Sequence, residues 1–439
     1  MEENNKMELV EIKESFKADK VDKLFAALYF VVGYLFINLL CQDSDWNADA
    51  WSGWGIFAVL YAAAVLGYLY MKRQKPARES WFWLGIMLLI SVPLEFWSAL
   101  DGFQLFALIV VAAYWTLSVS GRLLHNGETS NLIFFDWWNS MGMVPFSNII
   151  CQYRALLAKN PEKSDEKSGN QIFSILLGVV IAMPMLLIIL PLLSTADAGF
   201  EELLGRFTVE LRSEFWLFCI KMFLAIPVAA YLYGLAFGSI TGRNADRIKK
   251  KNILHMAEEC KKISGTTICT AIAVICVVYV IFIGLQGNYL FAAFSGKLPQ
   301  GVTYAVYARE GFFELCKVCT WNLVILLGAN LFTKRADGMS KMTKVITVLL
   351  SVLTFFILAT AVSKMLLYIG AYGLTLKRVL TMVFMVWIAV VFIGIIYRQK
   401  KEFPLVRNCV MIGAVLFCTL CVFPVEMWIE SYNTWMGVL

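Results

Sequence analysis

Charge is scarce in this sequence: only 16% of its 439 residues are Asp, Glu, Lys or Arg, where a soluble chain carries roughly 25% to solvate its surface. Histidine is nearly missing as well. His125 and His255 are the two present, and both fall between apolar runs, which excludes a haem or a His-rich metal centre embedded in a helix bundle. There is no G-x-x-x-x-G-K-[ST], so the chain is not a P-loop ATPase, and H-E-x-x-H and G-x-S-x-G are missing too. The net charge is only +6, and no polar segment is long enough to fold into the basic face that a nucleic-acid binder needs. A cleavable leader is not expected. The first 23 residues are polar with five lysines, and the run Leu24 to Leu40 is followed by no small-residue cleavage pattern.

What is present instead is apolar length. Hydrophobic residues make up 59% of the chain and mean hydropathy is +0.69. Runs long enough for a hydrocarbon core of roughly 30 Å occur at 24–41, 54–71, 81–99, 102–120, 171–193, 213–239, 266–286, 312–333, 345–367, 379–397 and 408–424. Lipid satisfies no backbone polar group, so such runs are helices. A β-barrel would show alternating segments about half as long. The expectation is an all-α polytopic transmembrane bundle of about 11 helices, in contact with the lipid bilayer. Placing the N-terminus inside puts 29 Lys and Arg on inner segments and 6 on outer loops. By the positive-inside rule this sets the N-terminus in the cytoplasm and the C-terminus outside.

A coarse division follows. Residues 1–120 form a cytoplasmic flank and a four-helix part, 121–170 a cytoplasmic segment, and 171–439 a seven-helix part. Within the middle segment, 132–149 is too short and mixed to span. Trp137 and Trp138 beside Asp136 and Asn139 read as an interfacial or re-entrant helix. Residues 159–170 read as a solvated linker.

Three constellations could carry chemistry. If the eighth span is one helix from its outer end, Tyr304, Tyr307, Glu310, Glu314, Lys317 and Trp321 share an arc of about 140°. That polar stripe descends into the membrane, where a charge costs roughly 2.5–3.5 kcal/mol on insertion scales and usually faces the bundle interior. Glu95, Lys221 and Lys364 are further charges in the outer halves of spans. Together these residues outline an outward-facing polar pocket. Snorkelling of each lysine, and helix-end placement of Glu310 and Glu314, are the plainer alternatives. Cys316/Cys319 and Cys418/Cys421 form two C-x-x-C pairs within apolar runs, which fits packing better than a thiolate metal site. No cofactor, metal or catalytic residue is expected. Pro184, Pro191 and Pro227 would kink the fifth and sixth spans or, as in transporters, break them near a binding site.

Several stretches resemble an uncharacterised bacterial multi-pass membrane family, the domain-of-unknown-function group 4153/4173. They are Asp136-Trp-Trp-Asn with Val144-Pro-Phe-Ser-Asn, Leu190-Pro-Leu-Leu-Ser-Thr-Ala-Asp-Ala-Gly-Phe, Gly301-Val-Thr-Tyr-Ala-Val-Tyr-Ala-Arg-Glu-Gly-Phe-Phe-Glu-Leu, Ala371-Tyr-Gly-Leu-Thr and Trp428-Ile-Glu-Ser-Tyr-Asn. The resemblance covers roughly 130–435. It implies a protein of the bacterial cytoplasmic membrane and brings no known activity. The leading expectation is a non-enzymatic, transporter-like or ligand-sensing protein whose small-molecule ligand the sequence does not name. The alternative is a signalling or assembly subunit that docks a cytoplasmic protein partner through 121–170 and 240–265, where the basic stretch 243–251 also suits anionic lipid.

Overall fold

A computed structural model describes residues 18–41, 53–95, 100–157, 213–295, 304–333 and 341–437, with isolated residues between 158 and 212. Among them no β-strand forms, and nine helices are long and apolar enough to cross a membrane. The chain starts with α1 (Lys20–Leu40), α2 (Trp54–Met71), α3 (Ser80–Ser91) and α4 (Asp101–Val119). Short helices α5 (Ile133–Trp138), α6 (Val144–Asn148) and α7 (Cys151–Leu157) follow, with a π-helical turn at Asn139–Met143 between the first two. Then come α8 (Ser213–Thr241), α9 (Lys250–Cys260), α10 (Gly265–Ser295), α11 (Tyr304–Phe332) and α12 (Lys341–Tyr372). The last are α13 (Leu376–Arg398), α14 (Leu405–Val422) and α15 (Val425–Trp435).

Nine of the expected spans are therefore long helices. The third expected span stops after 12 residues at Ser91, where Pro93 removes a donor and opens a 3-10 turn, Pro93–Glu95. The fifth, with Pro184 and Pro191, lies outside the described residues, as does the linker 159–170. Pro227 sits inside α8, which continues through it as one 29-residue helix. Helices α9 and α15 are too short and too polar to stand out by hydropathy, and both are amphipathic.

The chain divides into two compact units. One holds Met1–Leu84, Ala112–Arg122 and Trp137–Arg247; the other holds Gly85–Val111, Leu123–Asp136 and Ile248–Leu439. In the first unit α8 is the common partner, packing against α1, α6 and α7. Close approach depends on small residues. A Cβ on Gly33 of α1 would lie 2.8 Å from the Ala229 Cβ and 2.9 Å from the Ala225 carbonyl of α8. On the α6 side, a Cβ on Gly234 would lie 2.8 Å from the Pro145 carbonyl, and one on Gly238 would overlap the Asn148 amide. Gly234 and Gly238 form a G-x-x-x-G, which lets helix backbones meet in lipid, where dispersion replaces the hydrophobic effect as the packing force.

The second unit is built on α12. It packs on α10, α11 and α13, and α14 packs on α13. The core they share includes Ile272, Phe312, Leu350, Ala361, Met385 and Phe392. Lipid-length helices also expose apolar residues outward, such as Val274, Val278 and Ile281 of α10, as a bundle in hydrocarbon requires.

A paired substitution tests the glycine contacts. Gly234→Ala must displace the α6 backbone and should lower the melting temperature of the detergent-solubilised chain by several degrees. Gly284→Ala in α10 has nothing within 4 Å of the added carbon. It should be neutral or stabilise by roughly 0.5–1 kcal/mol through helix propensity. Equal effects of the two would refute the packing role.

Candidate functional site

Two polar constellations stand out, one in each unit. The first lies at the ends of α1, α2 and α8. Asp19 caps α1 and forms a reciprocal capping box with Asp22. Lys72, just past the end of α2, reaches Asp22 at 2.6 Å and Asp19 at 2.8 Å. The Tyr68 hydroxyl donates to Asp22 at 2.5 Å, and the Tyr233 hydroxyl of α8 donates to the Asp22 carbonyl at 3.2 Å. Burial opposes the charged form of Asp19, but hydrogen bonds from Lys72 and the Asp22 backbone hold its carboxyl below the usual range. Burial likewise works against the Lys72 ammonium, yet its two carboxylate partners raise it overall.

The segment after residue 136 extends this network with an inverted pattern. Asn139, Ser140, Asn148 and Gln152 are wholly buried, while Trp138, Phe146, Ile150 and Leu157 are exposed. The Asn139 amide donates to the Ala245 carbonyl at 3.0 Å. The Asn148 amide donates to the Val144 and Arg243 carbonyls at 2.9 Å, and its oxygen accepts from Asn244 at 3.0 Å. Gln152 donates to the Ala26 carbonyl at 2.8 Å. Polar groups inside and aromatic groups outside suit immersion in lipid rather than water. The residues are those of the expected interfacial or re-entrant helix, but the polar face turns toward the protein. Polar residues recur at 136, 140, 148 and 152 in steps of four or eight, which is the signal that sequence reading could have used.

Asp136 is fully buried. Its carboxylate accepts from the Leu124 amide at 2.8 Å through one oxygen, and the other has no partner among the described residues. Burial, only partly offset by that backbone donor, pushes its carboxyl up to about 7. Nearby in sequence, the Lys250 ammonium lies 2.7 Å from His125 Nδ1. An ammonium can only donate, so Nδ1 accepts and the imidazole carries its proton on Nε2.

The second constellation runs through the second unit. The Tyr279 hydroxyl of α10 donates to Asn322 of α11 at 2.7 Å, and Asn322 donates to Thr354 of α12 at 2.9 Å. Thr354 then donates to the Leu350 carbonyl at 2.7 Å. This chain ties three helices together inside the membrane, where such bonds average roughly 0.6 kcal/mol each and reach about 1.7. Further along α12, Lys364 is only 3% exposed, and the Glu314 carboxylate of α11 is one charge that acts on it.

The expected pocket residues are placed as follows. Helix α11 is continuous from Tyr304, so Tyr304, Tyr307, Glu310, Glu314, Lys317 and Trp321 do lie on one helix. Glu314, Lys317 and Trp321 are exposed on it; the side chains of Tyr304, Tyr307 and Glu310 lie outside the described residues. So does the side chain of Glu95, which ends the 3-10 turn. Lys221 is in the first unit and donates to Asn38 at 2.9 Å. Lys364 and Glu314 are close enough for their charges to act on each other. Cys319, Cys418 and Cys421 are buried free thiols and Cys316 is half-buried. Among the described residues, no three metal-capable side chains group together.

A family model described as a domain of unknown function (DUF4153) matches residues 82–436. Neither a curated protein nor a solved structure matches the chain.

Two outcomes follow from the first constellation and from Asp136. Lys72→Met leaves Asp22, whose side chain is 4% exposed, without its cation and should cost roughly 3 kcal/mol, the lower end for a broken buried pair. Adding Asp22→Asn should recover part of that loss, as thermal unfolding of single and double variants would read. For Asp136 the folded state keeps its proton to about pH 7, whereas the unfolded carboxyl, near 3.8, releases it earlier. Stability should therefore fall as pH rises from about 4 to 7, by on the order of 4 kcal/mol for this group. Asp136→Asn should match the native chain at about pH 3, where both folded and unfolded carboxyls are protonated, and exceed its melting temperature increasingly toward pH 8; an unchanged pH profile would refute the assignment.

Proposed function

The chain belongs to the family described as a domain of unknown function (DUF4153), and from the geometry of its second unit we propose that it is a ligand-responsive membrane protein, transporter-like or sensing rather than catalytic. Its site is an open polar face between α11 and α12, centred on Lys364 and Glu314. The observation that carries this reading is the burial of Lys364, 3% exposed inside a span. An ionisable group at that depth is costly and typically marks a ligand or ion path. Lys317 is exposed one turn from Glu314, and Tyr304, Tyr307 and Glu310 continue α11 toward its N-terminal end. By the distribution of Lys and Arg, that end faces outward across the bacterial cytoplasmic membrane. The reading therefore concerns the second-unit residues, with Glu95 and Lys221 outside its centre.

Purified chain in detergent, screened by thermal shift against amino acids, carboxylates and monovalent cations, tests this. A ligand that binds only the folded state stabilises it in proportion to RT ln(1 + [L]/Kd). At least one class should raise the melting temperature of the native chain, and Lys364→Met and Glu314→Gln should each abolish the rise. Equal stabilisation of all three proteins would overturn the proposal.

A second reading, docking of a cytoplasmic partner, is supported by the 2.7 Å contact between His125 and Lys250, which joins the two inner segments within the second unit. Helix α9 there keeps Lys251 and Lys262, beyond its last turn, exposed.

A further inference from the structure

An apolar cavity of about 650 Å³ lies within the second unit, among the C-terminal ends of α12 and α14, the N-terminal end of α13, and α15. Its wall includes Ile369, Val379, Met382, Leu420, Trp428 and Tyr432. The volume falls in the roughly 300–1,000 Å³ range of small-molecule sites.

Three observations narrow the occupant. The lining carries no charge, and the Thr419 hydroxyl within it already donates to the Val415 carbonyl of its own helix at 2.9 Å. A polar molecule would lose hydration there with little return, whereas a hydrocarbon chain would not. Second, the cavity sits at helix ends, beside an amphipathic helix whose aromatic residues contact one another in series. Trp428 and Tyr432 lie 6.2 Å apart, and Tyr432 and Trp435 6.1 Å. Such rings belong at headgroup level. Third, α13 opens with two adjacent cations. Lys377 is exposed, and the Arg378 guanidinium lies 4.1 Å over the Tyr368 ring and donates to the Tyr372 carbonyl at 2.9 Å. These are two of the six Lys and Arg on outer loops, where the positive-inside rule makes them scarce.

The site is also held open. Asn433 of α15 accepts from the Leu374 amide at 2.6 Å and donates to the Leu374 carbonyl at 2.9 Å, fixing α15 over the connection between α12 and α13. We propose that this cavity binds one acyl chain of an anionic membrane phospholipid, with its phosphate beside Lys377 and Arg378. The assignment is independent of the Lys364 reading, because it rests on different residues.

The full chain, reconstituted in phosphatidylcholine vesicles with a trace of photoactivatable acyl-chain phosphatidylglycerol, tests it. Irradiation and peptide mapping should place label on Met382, Leu420 and their neighbours. Leu420→Trp and Met382→Trp fill the cavity from two different helices, and each should cut that label at least five-fold. Val415→Trp, at an exposed position of α14, should leave it unchanged. Lys377→Glu should lower labelling by phosphatidylglycerol several-fold but not labelling by a phosphatidylcholine probe. Label confined to positions outside the cavity lining would overturn the proposal. So would filled variants that label normally, equal labelling by the two headgroups, or labelling of the cavity by a free photoactivatable fatty acid but not by the phospholipid.

Discussion

The first unit depends on how closely α8 can be approached. Gly234 and Gly238 let the Pro145–Asn148 backbone come within contact distance of α8, and Gly33 of α1 meets Ala225 and Ala229 along the same helix. In lipid, burying another methyl group gains little, because the surroundings are as apolar as the partner. Backbone proximity gains dispersion and brings carbonyls within reach of buried amides. Asn148 uses that proximity: its amide donates to Arg243 at the end of α8 and to Val144 in its own helix. Remove the glycines and the hydrogen bonds lose their geometry along with the contact.

From this follows the inverted character of the 137–157 segment. Its amides donate to the Ala26 carbonyl of α1 and to carbonyls of the turn after α8, while Trp138 and Phe146 face out. A water-facing helix of the same composition would turn the other way. Buried acceptors without a partner among the described residues include the Asn139 and Gln152 amide oxygens and one oxygen of Asp136, whose other oxygen takes a single backbone donor. A carboxyl in that setting stays protonated toward neutrality.

The second unit distributes polarity differently. At mid-span, Tyr279, Asn322 and Thr354 form a closed chain in which each group has a partner; such a chain locks helices and leaves nothing for a ligand. Toward the far end of α12, buried Lys364 and exposed Glu314 bring opposite charges within reach of each other, and the same end of the helix also borders a cavity whose lining carries no charge.

Composition and the spacing of apolar runs were enough to determine a helical membrane protein, and the bounds of α2, α4, α13 and α14 were readable to within about three residues, because a span must match the thickness of hydrocarbon. That α11 runs as one helix from Tyr304 was a condition of the sequence reading, whose apolar run begins only at 312, and the structure supplies it. What sequence could not decide was which face of each helix meets protein. Hydropathy reports transfer into lipid, and it is the same for a buried Asn148 as for an exposed one. Only tertiary structure turned the Asp136–Gln152 polar residues inward, paired Lys72 with Asp22 across 50 residues of chain, and set Asn433 against Leu374. Those partners lie far apart in sequence, and their pairing depends on backbone distances that small residues permit and that no local pattern encodes.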